Sequence, residues 1–134
     1  MTPFQLKIVT PDGIAYEGMA ESVSVRSTTG DLGILAGHTN LVAPLGMGRA
    51  TIVVDGKRRY AACIGGMVSV IGGKVTLVPT TFEWAEDIDA QRADRSYARA
   101  QKVLSDKAAA KTDIVLAEAR LKRALVRKSV ASTK

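Results

Sequence analysis

The chain has 134 residues, enough for one domain with a real core, and its single cysteine, Cys63, excludes an internal disulfide and suits a reducing compartment. Only six residues are aromatic, so a core has to be built from Val, Ile, Leu and Met, and no apolar run approaches the length of a bilayer span. The formal charge of +6 belongs to the last third: residues 1–86 carry seven basic and seven acidic side chains, residues 87–134 twelve basic and six acidic.

The opening MTPFQLKIVT lacks the basic-then-apolar order of a signal peptide, so any meeting with a membrane is expected to run through a partner. Phe4 to Ile8 alternates apolar and polar residues, a half-buried strand, and Pro11-Asp12-Gly13 turns the chain into a second strand at Ile14 to Tyr16. Val23 and Val25 mark a third strand. Gly30 to Asn40, with three glycines in its first eight residues, reads as a shaped loop. Arg49–Val54 and Lys57–Ile64 flank Asp55-Gly56, and Met67–Ile71 and Lys74–Val78 flank Gly72-Gly73, two hairpin signatures. Pro79 stops the last strand or places it at an edge. This pattern of about seven to ten short strands argues for a compact β-sandwich or barrel.

The junction Glu83–Ala93, EWAEDIDAQRA, changes the period. Ala93, Tyr97, Ala100 and Leu104 form one stripe of a helix that Asp87 or Asp89 can cap. Ser105 to Thr112 is the expected break, and Thr112 or Asp113 can cap a second helix with the seam Ile114, Ala117, Leu121 and Leu125. Small residues on both seams predict an antiparallel hairpin. The fold class is thus α+β: an N-terminal antiparallel sandwich over residues 1–86, then a C-terminal helical hairpin over residues 87–134. Ser129 to Lys134 are expected to fray.

Arg92, Arg95 and Arg99 repeat the spacing of Arg120, Arg123 and Arg127. Each trio lies to the same side of its apolar seam, which puts both on one face of an antiparallel hairpin. Such a face attracts phosphates or an acidic surface, unless it is simply a solvated face. A basic nucleic-acid-binding module is the alternative reading of this charge, although the body lacks aromatic pairs that would stack bases. His38 and Asp31 share the Gly-rich loop, but no nucleophile or second histidine completes a catalytic site, and a loop-shaping or interface role fits His38 better. Cys63 reads as a small buried hydrophobe, Trp84 as a plug between body and hairpin. No metal-ligand spacing occurs, and the loop lacks Walker or Rossmann features.

Three stretches together resemble the epsilon subunits of bacterial F-type ATP synthases: GDLGILAGHTNLVAPLGMG (residues 30–48), IGGMVSVIGGKVTLV (residues 64–78) and AEDIDAQRA (residues 85–93). The loop departs from the family pattern at Ala36 and Asn40, where proline is common. The resemblance implies a ten-stranded sandwich and two helices in a non-catalytic rotor subunit of the central stalk, with no cofactor or metal of its own. It implies the gamma subunit, the c-subunit ring and the alpha/beta head as partners, and a place on the cytoplasmic side of the bacterial inner membrane through the complex. Asp31 and His38 would face the ring. The hairpin would extend to inhibit ATP hydrolysis, its basic stripes meeting an acidic surface of the beta subunit. It further implies a regulatory ATP site: Ile88, Asp89, Arg92 and Ala93 match a motif of the form Ile-Asp-x-x-Arg-Ala, with Glu83, Arg99, Arg123 and Arg127 as further candidates.

Overall fold

The computed structural model describes residues 2–133. Ten strands form two five-stranded sheets. The first sheet has the order β2-β1-β9-β8-β5, from β1 (Phe4–Thr10), β2 (Gly13–Ala20), β5 (Leu41–Pro44), β8 (Met67–Ile71) and β9 (Lys74–Val78). The second has the order β10-β7-β6-β3-β4, from β3 (Ser22–Ser27), β4 (Gly30–Ile34), β6 (Met47–Val54), β7 (Lys57–Ile64) and β10 (Thr81–Trp84). All neighbours pair antiparallel except β1 with β9.

Alternation fixes which face of each strand is inside. Phe4, Leu6 and Ile8 of β1 point inward with Val68, Val70, Val75 and Leu77, and meet Val23, Val25, Ile52, Ala61 and Cys63 of the other sheet. Burying each large aliphatic side chain contributes about 1.5–3 kcal/mol, so this layer carries the stability of the sandwich. Asp55 and Gly56 both adopt positive φ, 52° and 74°, as a tight hairpin between β6 and β7 demands.

The chain passes between the sheets five times, and the crossings after β5, after β7 and after β9 converge. Leu45 N donates to Gly66 O at 2.8 Å, Gly65 N to Gly46 O at 3.0 Å, and Thr80 N to Gly65 O at 3.3 Å. Gly66 is required here, because its φ is +94° and a Cβ would lie 2.0 Å from the Val78 carbonyl oxygen.

Several sequence expectations need correction. Gly30–Ile34 is not loop but an edge strand paired with β3, leaving Leu35–Asn40 as the loop. A ladder is made by backbone groups, so glycines at an edge do not prevent it. Thr81–Trp84 pairs with β7 as a further edge strand, too short for its alternation to stand out. Trp84 belongs to the sandwich core, 4.9 Å edge-on from Phe82 and beneath the Arg59 guanidinium at 3.7 Å, and is not a plug between the two parts.

After a 3₁₀ turn at Ala85–Asp87 come α1 (Ala90–Ser105) and α2 (Lys111–Ala131). Of the two cap candidates for α1, Asp89 serves, its carboxylate accepting from Arg92 N at 3.0 Å. Neither Thr112 nor Asp113 caps α2: both lie inside its first turn and the N-cap is Ala110. Alanines close the seam, Ala93 and Ala100 against Ala117 and Ala124. Leu125 is 45% exposed rather than in the seam, because the face of α2 toward α1 runs through Ala117, Ala124 and Lys128 while Val126 and Val130 turn to the sandwich. For the same reason residues 129–131 remain helical, with Val130 fully buried; Lys134 lies outside the described residues.

Candidate functional site

The hairpin docks through a small apolar patch. Val130 packs with Ala85 and Ile88 of the junction and Ala62 of β7, flanked by Tyr60, Val126 and Ala131. Beside this patch the junction, the β1–β2 turn and both helices enclose a cleft of about 470 Å³. Its lining includes Glu83, Ile88, Asp89, Arg92, Ala93 and Arg127. Every residue of the junction motif has a place in building it. Ile88 is the buried anchor, Asp89 caps α1, Arg92 stands in the first turn and Ala93 closes against α2.

A second cavity, of about 820 Å³, continues along the hairpin and shares Ser96 and Arg127 with the first. Arg99, Arg120 and Arg123 open into it. The structure therefore brings Glu83, Ile88, Asp89, Arg92, Ala93 and Arg127 together, and sets Arg99 and Arg123 in the adjoining space. Arg95 lines neither cavity, so the α1 stripe is interrupted.

The electrostatics of the site are lopsided. Arg127 Nε donates to Glu83 Oε1 at 2.7 Å, both side chains being about two-thirds buried. Among the described residues Arg92, Arg99, Arg120 and Arg123 form no ion pair. Like charges along one groove repel, and a bound anion would relieve that repulsion. On the other side of the hairpin Lys128 ties the helices together, 3.4 Å from Asp94 Oδ1 and 4.4 Å from the Tyr97 ring centroid. Sequence spacing gave no sign of that clasp. The sandwich wall of the cleft, Thr10–Asp12 and Thr80–Phe82, was equally hidden, since only folding brings the β1–β2 turn beside β10.

The two loop residues do not form a pair. Asp31 lies 3.4 Å from Arg26 across β3 and β4, and His38 Nδ1–H donates to the Thr39 carbonyl at 2.8 Å. Cys63 is buried in the sandwich, and desolvation pushes its thiol pKa up to about 12, so it is inert as a nucleophile near neutral pH. No group of His, Cys, Asp or Glu able to hold a metal occurs among the described residues, and no helix among them is long and apolar enough to cross a membrane.

The outer face of the first sheet is unusually apolar. Pro44, Met67 and Val78 stand opposite one another on β5, β8 and β9, with Val42 and Ile71 beside them. Val42 and Ile71 are each 61% exposed.

Residues 3–85 match the family described as ATP synthase, Delta/Epsilon chain, beta-sandwich domain, and residues 86–132 match ATP synthase, Delta/Epsilon chain, long alpha-helix domain. The chain is 42% identical over 135 residues to an ATP synthase epsilon chain of Ruminococcus albus, covering 100% of both. It is 42% identical over 134 residues to that of Bacillus cytotoxicus, again covering 100% of both, and 44% identical over 131 residues to that of Bacillus velezensis, covering 98% of each. In fold it is similar to a chain of the Euglena gracilis mitochondrial ATP synthase (TM-score 0.85, 19% identity, 100% of this chain and 83% of that one). A chain from the central stalk and c-ring structure of the Tetrahymena thermophila enzyme is similar at TM-score 0.66 and 12% identity, covering 95% of each.

Proposed function

The chain belongs to the ATP synthase delta/epsilon family, and from that premise we propose that it is a rotor subunit whose sandwich is the fixed part and whose hairpin is an ATP-responsive brake. An epsilon chain is a non-catalytic part of its complex, so the chemistry to explain is binding and regulation. The apolar outer face of β5, β8 and β9 is a surface that a monomer would not ordinarily leave open, and it suits docking on the gamma subunit of the central stalk. The Leu35–Asn40 loop and β4, carrying His38 and Asp31, offer a polar edge for the c-subunit ring. Membrane association on the cytoplasmic side of the bacterial cell would then come through the complex.

One observation carries the regulatory reading: a single cleft gathers Glu83, Ile88, Asp89, Arg92, Ala93 and Arg127 from the sandwich edge and both helices. A nucleotide there touches both helices only while the hairpin is folded and docked. ATP binding therefore favours the docked state by mass action. Glu83 uses only Nε of Arg127, leaving the remaining N–H donors of that guanidinium for a phosphate. Without ATP the small Val130 patch and the Glu83–Arg127 ion pair are the main hold of the hairpin on the sandwich. Once released, its basic stripes are available to an acidic surface of the alpha/beta head, where they would impede hydrolysis.

Calorimetric titration of ATP into the whole chain tests the switch. Saturable binding is expected, weakened about tenfold or more by Arg92→Ala, which removes a charge-assisted contact. Absence of binding at millimolar ATP would refute the nucleotide part. If a chain ending at Glu86 inhibited the assembled head as strongly as the full chain, the brake would not be the hairpin.

A further inference from the structure

The groove between the helices extends past the nucleotide cleft, and its charges run in order. Arg92 and Arg127 line the end near the sandwich; Arg123, Arg120 and Arg99 line the part beyond. Arg92 and Arg99 stand seven residues apart on α1, as do Arg120 and Arg127 on α2, a rise of about 10 Å along each helix. Among the described residues only Arg127 of these five has an ion-pair partner. Carboxylates bound both ends: Glu83, Asp87 and Asp89 at the sandwich, Asp106 and Asp113 beside the inter-helix loop. A flexible linear anion is thus attracted along the middle and halted at each end.

This positive stretch is longer than the three phosphoryl groups of a nucleoside triphosphate need, and Arg120 falls outside the residues assigned to the nucleotide. We propose that the hairpin groove binds a linear polyphosphate chain longer than a triphosphate, Arg120 holding the additional phosphoryl groups. The chain could be inorganic polyphosphate or the tail of a nucleoside polyphosphate. Only the nucleoside-tailed form rests on the ATP reading; the inorganic form follows from the arginine spacing. Guanidinium forks suit this ligand, since each can engage two oxygens of a phosphoryl group and none can be deprotonated.

The test is calorimetry on the whole chain at fixed salt, with tripolyphosphate, a linear inorganic polyphosphate of defined greater length, ATP and adenosine tetraphosphate. A longer chain is expected to bind about tenfold or more tightly than its three-phosphate counterpart. Arg120→Ala should abolish that gain and leave ATP affinity unchanged. Arg95→Ala removes the same charge outside the groove and should alter neither. A gain confined to adenosine tetraphosphate over ATP identifies a nucleoside polyphosphate, and a gain confined to the inorganic series identifies inorganic polyphosphate. Failure of ATP to bind while the long inorganic chain binds would remove the nucleotide reading and keep this one. No gain beyond three phosphoryl groups, or an equal loss from Arg95→Ala and Arg120→Ala, would overturn it.

Discussion

The sandwich and the hairpin are held together by different physics. Between its sheets the sandwich buries Ile8, Ile34, Ile52, Leu77, Val23, Val68 and Val70 almost completely. The hairpin closes on alanines, and meets the sandwich through little more than Val130, Ile88, Ala85 and Ala62. Methyl groups bury little area, so helix packing of this kind positions elements closely while stabilising them weakly. Such a contrast is what a machine needs when one part must stay seated and the other must come away, and it yields sub-global opening of the hairpin well below the cost of unfolding the whole chain.

The contrast can be broken from the sandwich side first. Ile52→Ala should cost about 2–5 kcal/mol and lower the denaturation midpoint of sandwich and hairpin together, because the hairpin has no other platform. Val130→Asp attacks the other side. A carboxylate has no partner in that patch, so the hairpin should undock, exposing its basic residues to trypsin while the main thermal transition of the sandwich moves little. Coincident loss of the sandwich transition would mean that the two parts are one cooperative unit. Glu83→Gln is the smallest test. The ion pair with Arg127 is partly solvated, so its loss should lower hairpin protection by less than about 1 kcal/mol, an effect that added salt shrinks in the parent chain.

Strands bounded by strong turn chemistry were readable in the sequence. Asp55-Gly56 and Gly72-Gly73 supply positive φ where hairpins need it, and the alternation of β1, β8 and β9 marks their inner faces. The strands that escaped, β4, β5 and β10, all lie at sheet edges, β5 in the first sheet and β4 and β10 in the second, where glycine or brevity masks the period. In α2 the apolar period changes because the partner changes. Ala117 and Ala124 face α1 while Val130 faces β7 and the junction, and a single helical stripe drawn through Leu125 misses that turn. Local order along the chain placed the motif Ile88, Asp89, Arg92 and Ala93, since one helix start holds all four. It could not place Thr10–Asp12 opposite them, nor reveal that Lys128 clasps Asp94 and Tyr97, because both depend on which surfaces meet after folding.

Native-state hydrogen exchange with and without saturating ATP tests most directly whether the hairpin is a separately opening, ligand-clamped unit. Amides of residues 90–105 and 111–131 should exchange through an opening far cheaper than global unfolding, slow markedly when ATP is present, and leave the inner strands of the sandwich unaffected. Exchange of both regions through one common opening, with no change in the hairpin on adding ATP, would contradict the account.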